Sequence, residues 1–167
     1  MKPPPIAALL AALVLAIAAP AAAGDRGGFL VGGSLGFNGT NACDNCEFAA
    51  GPSFTLYAGA TLRPRLALLG EFAAHAASDG HEGAGIGFSG VIGAVQYWPI
   101  RWLWLGAGGG VGGGADDGDG PIAVAQAGID FRSRSRFGID LRGRYERRID
   151  AGDGRRIVAV LVGFTWY

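Results

Sequence analysis

The sequence predicts an all-β protein, an eight-stranded antiparallel up-and-down transmembrane β-barrel, on three observations. The chain closes on an uncharged apolar run, IVAVLVGFTWY, residues 157–167. Seven further segments read as strands, most of them alternating with period two, and their connections switch strictly between long and short. Several segments also have a second face that is mainly Gly, Ser, Thr and Ala, without a charge. An open strand edge as apolar as the last run invites pairing with other chains. Closure removes that edge, and lipid accepts the apolar face.

The elements follow in order. Strand one, 29–38, sets Phe29, Val31, Leu35 and Phe37 against Gly32, Ser34, Gly36 and Asn38. Strand two, 52–62, sets Phe54, Leu56, Ala58, Ala60 and Leu62 against Ser53, Thr55, Tyr57, Gly59 and Thr61. A tight turn at 63–65 contains Pro64, whose ring cannot extend a ladder. Strand three, 66–75, places Leu66, Leu68, Gly70, Phe72 and Ala74 opposite Ala67, Leu69, Glu71, Ala73 and His75. Strand four, 86–98, is apolar on both faces, so its orientation stays open, and a second turn follows at 99–101. Strand five spans 102–112. Strand six, 122–131, separates Ala123, Ala125, Ala127, Ile129 and Phe131 from Val124, Gln126, Gly128 and Asp130. After a turn at 132–136, strand seven, 137–145, sets Phe137, Ile139, Leu141 and Tyr145 against Asp140, Arg142 and Arg144. The closing run is strand eight. The long connections, 39–50, 76–85, 113–121 and 146–155, are expected outside the cell and the short ones in the periplasm.

Composition agrees with a surface not covered by water. Only 17% of the 167 residues are charged, below the ~25–35% usual for a solvated surface. A net charge of zero and the lack of a basic helix or stripe exclude an electrostatic nucleic-acid binder. Residues 1–23, with Lys2, an apolar run at 6–19 and small residues before Gly24, predict a cleaved secretory signal peptide ahead of a barrel domain at 24–167. The apolar run is short for a spanning helix, which needs about 20 residues. The first cysteine, Cys43, lies too far on for a lipid anchor.

Alternation alone does not separate a soluble barrel, apolar inside, from a membrane barrel, apolar outside. The small uncharged faces decide for the second, because turned inward they leave room for Glu71, Asp130, Asp140, Arg142 and Arg144. Glu71 is expected to pair with Arg142 or Arg144 in the lumen. Tyr97, Trp98, Trp102, Trp104, Trp166 and Tyr167 lie near the periplasmic strand ends and are expected to form an interfacial aromatic girdle.

With its leader, its eight-strand rhythm, Glu71 and Arg142 as interior charges and the ending GFTWY, the chain resembles the small outer-membrane β-barrels related to the transmembrane domain of outer membrane protein A. The resemblance implies residence in the bacterial outer membrane, contact with its lipid and lipopolysaccharide, assembly through the C-terminal strand by the barrel-assembly machinery, and a monomer; with no cell-wall-binding domain expected here, it does not imply a tether to peptidoglycan. In that family the last strand alternates apolar residues back from a terminal aromatic. Here Thr165 and Gly163 interrupt that register while Trp166, Phe164, Val162 and Val160 fill the other, leaving both faces as alternatives.

Candidate chemistry is sparse. Cys43 and Cys46 predict a small disulfide in the first external loop, since two thiols do not complete a metal site. Residues 108–113 match the letter of a dinucleotide fingerprint but lack the helix that receives a pyrophosphate. Asp116, Asp117 and Asp119 are weak candidates for calcium, with a solvated acidic loop as the expected state. His75, Ser78, His81 and Glu82 form an imaginable hydrolase constellation. No cofactor and no catalysis are expected. The leading reading is a structural, adhesive or surface-interacting barrel with no large pore. A soluble periplasmic barrel for a small apolar ligand and a lipid-modifying enzyme are the alternatives.

Overall fold

The computed structural model describes residues 28–41, 49–78, 85–114, 118–132, 136–149 and 156–167. Eight strands are formed: β1 (Phe29–Asn41), β2 (Ala49–Arg63), β3 (Leu66–Ser78), β4 (Gly85–Ile100), β5 (Leu103–Gly114), β6 (Gly118–Arg132), β7 (Phe137–Arg148) and β8 (Arg156–Trp166). Each pairs antiparallel with its sequence neighbour, and β8 returns to β1 from Val31↔Trp166 to Asn41↔Arg156. The barrel is closed, so every strand has two partners.

The strands outlast the apolar alternation that predicts them. Ladder hydrogen bonds continue after the side chains cease to need lipid, so β1 to β7 reach into the four long connections. At the third, Gly114 pairs with Gly118, whose φ of 65° favours glycine. Glu146 belongs to β7, not to the last loop, and is fully buried. The second turn also moves. β4 runs through Pro99 to Ile100, a register irregularity between Tyr97 and Ile100 accommodates the proline, and Trp102 falls in the turn.

Burial alternates strictly along β7 and β8. Val158, Val160, Val162, Phe164 and Trp166 face outward, so β8 takes the register read back from Trp166. β4 is oriented by its neighbour: Ile92 stands opposite Glu71, which puts Phe88, Ile92, Gln96 and Trp98 inside and Val91, Val95 and Tyr97 outside. The soluble alternative is thereby overturned, because the charges line the lumen and the large apolar side chains cover the outside.

Candidate functional site

The lumen is filled in layers. At the end with the short turns Leu30, Trp98 and Trp104 are buried, and at the end with the long connections, the one expected to be external, Phe88, Ile122 and Ile157 are. Between these apolar layers lie two polar clusters. In the first, Arg142 grips Asp140 with two bonds, Nε to Oδ1 at 2.7 Å and Nη2 to Oδ2 at 2.9 Å. Its Nη2 also donates to the Tyr57 hydroxyl at 2.9 Å, and its guanidinium lies 4.7 Å from the Tyr57 ring centroid and 5.1 Å from that of Trp104. Tyr57 in turn donates to the Phe164 carbonyl at 2.9 Å.

This cluster depends on missing side chains. A Cβ on Gly163 would stand 2.5 Å from Asp140 Oδ2, and one on Gly128 would stand 2.5 Å from the Trp104 indole. Glycine in these two walls makes room for bulky groups arriving from the others.

The second cluster is nearer the external end. Arg144 pairs with Glu71 through Nη1 and with Glu146 through Nε. Gln126 donates to Glu71 at 2.7 Å and accepts from Arg144 at 3.1 Å. Glu146 Oε1 also lies 3.1 Å from His75 Nε2, while His75 Nδ1 meets Ser53 Oγ at 2.7 Å. A carboxylate only accepts, so Nε2 holds the proton toward Glu146.

The sequence-predicted residues distribute as follows. Glu71 meets Arg144 rather than Arg142, whose partner is Asp140. Asp130 is buried and accepts from the Tyr167 hydroxyl at 3.1 Å. Of the six aromatics expected at the interface, Tyr97 and Trp166 are exposed on the outer face, at 45% and 56%, and Trp102 is exposed in the turn before β5, at 53%. Trp98 and Trp104 are not interfacial: they are 1% and 2% exposed, because they share the parity of the lumen residues Gln96 and Gly106. Tyr167 likewise turns to the lumen mouth, packing against the buried cluster.

The hydrolase constellation is not brought together among the described residues. His75 points inward and Ser78, three residues on, outward, while His81 and Glu82 lie outside the described residues. The partners of His75 are instead Ser53 and Glu146, which sequence reasoning missed; their inward parity with Thr55 and Arg144 was the available signal. Residues 108–113 run within β5, a strand, and so offer no helix to a phosphate. Asp119 is exposed at the start of β6, opposite Gly113. Asp116, Asp117, Cys43, Cys46 and the leader 1–23 lie outside the described residues.

No protein-family model matches the chain, and no curated protein does. Among solved structures, Neisserial surface protein A aligns with a TM-score of 0.70 at 14% identity, over 83% of this chain and 96% of that one. Ail, the attachment invasion locus protein of Yersinia pestis, aligns with a TM-score of 0.52 at 16% identity, over 83% and 97%. Its complex with the heparin analogue sucrose octasulfate aligns at 0.53 and 15% identity, over the same shares. With the closed eight-stranded ladder, the apolar outside and the charged lumen already described, these likenesses fix the fold: the chain has the fold of the small eight-stranded transmembrane β-barrels.

Proposed function

We propose that the protein is an integral outer-membrane barrel whose role is structural, adhesive or surface-interacting. The observation that supports it is the filled lumen. Two ion-pair clusters held between apolar layers leave solute passage no route, so the parts free to meet partners are the external loops and the outer wall. The fold is shared with a surface protein and with an attachment protein, which favours the same use. Lipopolysaccharide and outer-leaflet lipid are its membrane partners, and β8 is the segment read by the barrel-assembly machinery.

The test has two parts. The protein should stay with the outer membrane through a carbonate wash and run with a different mobility boiled and unboiled. Cells expressing it should then gain adherence to surfaces, and trimming residues 42–48 and 150–155 should remove that gain while the mobility shift remains. Release by carbonate, or adherence indifferent to both loops, defeats the reading.

A lipid hydrolase is the second reading, favoured by the Ser53–His75–Glu146 relay. Its residue types are those of a nucleophile, a base and an orienting acid. Against it, Ser53 and His75 are only 3% and 5% exposed. The serine also meets Nδ1 and the acid Nε2, the reverse of the serine-protease template, and Glu146 is already engaged by Arg144. Ester hydrolysis abolished by Ser53→Ala would establish the second reading over the first.

A further inference from the structure

Two of the short turns are joined. The Trp98 amide donates to the Arg65 carbonyl at 2.9 Å, and Arg65 Nη1 reaches the Pro99 carbonyl at 3.5 Å. The turn between β2 and β3 is thereby tied to the one between β4 and β5, which holds Trp102. Arg63, Arg65 and Trp102 are exposed, and Tyr97, the register partner of Leu66 at the head of β3, is exposed on the outer face beside them. Further from the turn, Leu62 of β2 and Leu68 of β3 also face outward, 53% and 45% exposed.

The patch is therefore graded, from leucines through rings to guanidinium groups at the barrel end. A membrane changes in the same order, from hydrocarbon through interface to headgroup, and amphipathic rings settle at the boundary. Arginines just beyond the rings stand at the height of lipid phosphates, whose oxygens their planar forks match in pairs. A guanidinium has five donors, so the single bond from Arg65 to Pro99 leaves the others for a headgroup.

Charge around the patch has one sign. The acid nearest along the chain, Glu71, is turned into the lumen and held by Arg144. The three short connections, 63–65, 99–101 and 132–136, contain six arginines and no carboxylate. The long connections, 39–50, 76–85, 113–121 and 146–155, contain ten acids against three arginines. The net charge of zero thus hides a division between the two ends, and the short-turn end is the one that attracts anions.

We propose that the two joined turns form a headgroup site for an anionic glycerophospholipid of the phosphatidylglycerol class. Its phosphate lies against Arg63 and Arg65, its glycerol region beside Tyr97 and Trp102, and an acyl chain along Leu62 and Leu68. The proposal rests on the outer-membrane reading above, under which the short turns meet the inner, phospholipid leaflet, and it names the lipid class held there. Charge complementarity selects this occupant. A zwitterionic phospholipid brings an ammonium beside the same arginines, and a soluble acidic partner has no use for the rings and leucines below them.

The experiment uses the full barrel, reconstituted in equal parts of phosphatidylglycerol, phosphatidylethanolamine and lipid A and re-extracted in mild detergent. Mass spectrometry then counts the lipid that stays with the protein. Wild-type protein should retain phosphatidylglycerol about fivefold or more over phosphatidylethanolamine, in line with an arginine beside an anionic lipid. Arg63→Gln with Arg65→Gln should abolish that preference, whereas Arg147→Gln, exposed at the opposite end of the barrel, should leave it intact. High salt during extraction should narrow the preference of the unmodified protein, a reading that needs no variant to fold. All variants are checked for unchanged heat-dependent mobility.

Equal retention of the two phospholipids by wild-type protein overturns the proposal, as does a preference unaltered in the double arginine variant. Lipid A retained above phosphatidylglycerol through the same two arginines also overturns it, assigning them to lipopolysaccharide phosphate. So does free glycerol phosphate that displaces the lipid at equal concentration, since the rings and leucines would then hold nothing. A protein that holds to the outer membrane yet shows no preference defeats this proposal alone. One that washes free with carbonate defeats the outer-membrane reading as well.

Discussion

Arg144 on β7 pairs across the lumen with Glu71 on β3, 73 residues away in the chain. The two strands are not neighbours in the sheet, so the pair ties opposite walls together where no backbone bond does. Both side chains are wholly shielded from solvent. The Gln126 amide, from β6, bonds to both and fixes their relative position.

Breaking this pair from one side should be expensive. Arg144→Met leaves the Glu71 and Glu146 carboxylates buried together, and loss of one partner of a buried pair costs about 3–5 kcal/mol. Unfolding by urea in lipid vesicles, followed by gel mobility, should show that loss. Replacing Glu71 by Gln in the same chain should recover part of it, since the two changes share one interaction. Equal stability of wild type and Arg144→Met would show that the pair does not brace the walls.

The Tyr57 hydroxyl offers a milder change. It accepts from Arg142 and reaches both the Phe164 carbonyl and Thr165 Oγ1, at 2.9 and 2.7 Å, so Tyr57→Phe removes a buried three-partner junction at a cost of about 1–3 kcal/mol. Gly163→Ala attacks the same cluster by pushing a methyl against Asp140. The two substitutions combined should destabilise by less than their sum in the same urea assay. Strict additivity would mean that the glycine and the hydroxyl serve separate features.

Much of this barrel was legible in the alternation of β1, β2, β6 and β7, where one face is apolar and the other small or charged. β4 was not, because Phe88 and Ile92 inside are as hydrophobic as Val91 and Val95 outside. Only its register against Glu71 decides. The aromatics failed for a related reason: nearness to a strand end marks a height in the membrane, whereas parity marks a face, and Trp98 and Trp104 have lumen parity. The Ser53–His75–Glu146 relay joins β2, β3 and β7. No local pattern announces a contact between strands so far apart in sequence, and the early end assigned to strand seven hid Glu146.

The four tryptophans permit a direct check of parity. Trp166 is exposed on the outer face and Trp102 in the turn before β5, whereas Trp98 and Trp104 face the lumen. In vesicles of brominated phospholipid, the double variant Trp98→Phe, Trp104→Phe should show strongly quenched emission. The complementary variant, Trp102→Phe, Trp166→Phe, should be quenched far less. Equal quenching of the two would place the buried pair at the lipid and reverse the assigned faces of β4 and β5.

Conductance tests the plug itself. An ion entering from outside meets Phe88, Ile122 and Ile157, then the charged clusters, then Leu30, Trp98 and Trp104. Wild-type barrels in planar bilayers should give no resolvable steps. Removing the periplasmic layer and one charge together, by Trp98→Ala, Trp104→Ala and Arg142→Ala, empties that half of the lumen while Asp130 and Asp140 remain. The carboxylates left behind attract cations and repel anions, so any leak through this variant should prefer cations, as read from the reversal potential in a salt gradient. Steady openings of the unmodified protein would show that the ion pairs part to admit solute, and transport would then displace adhesion as the role of the barrel.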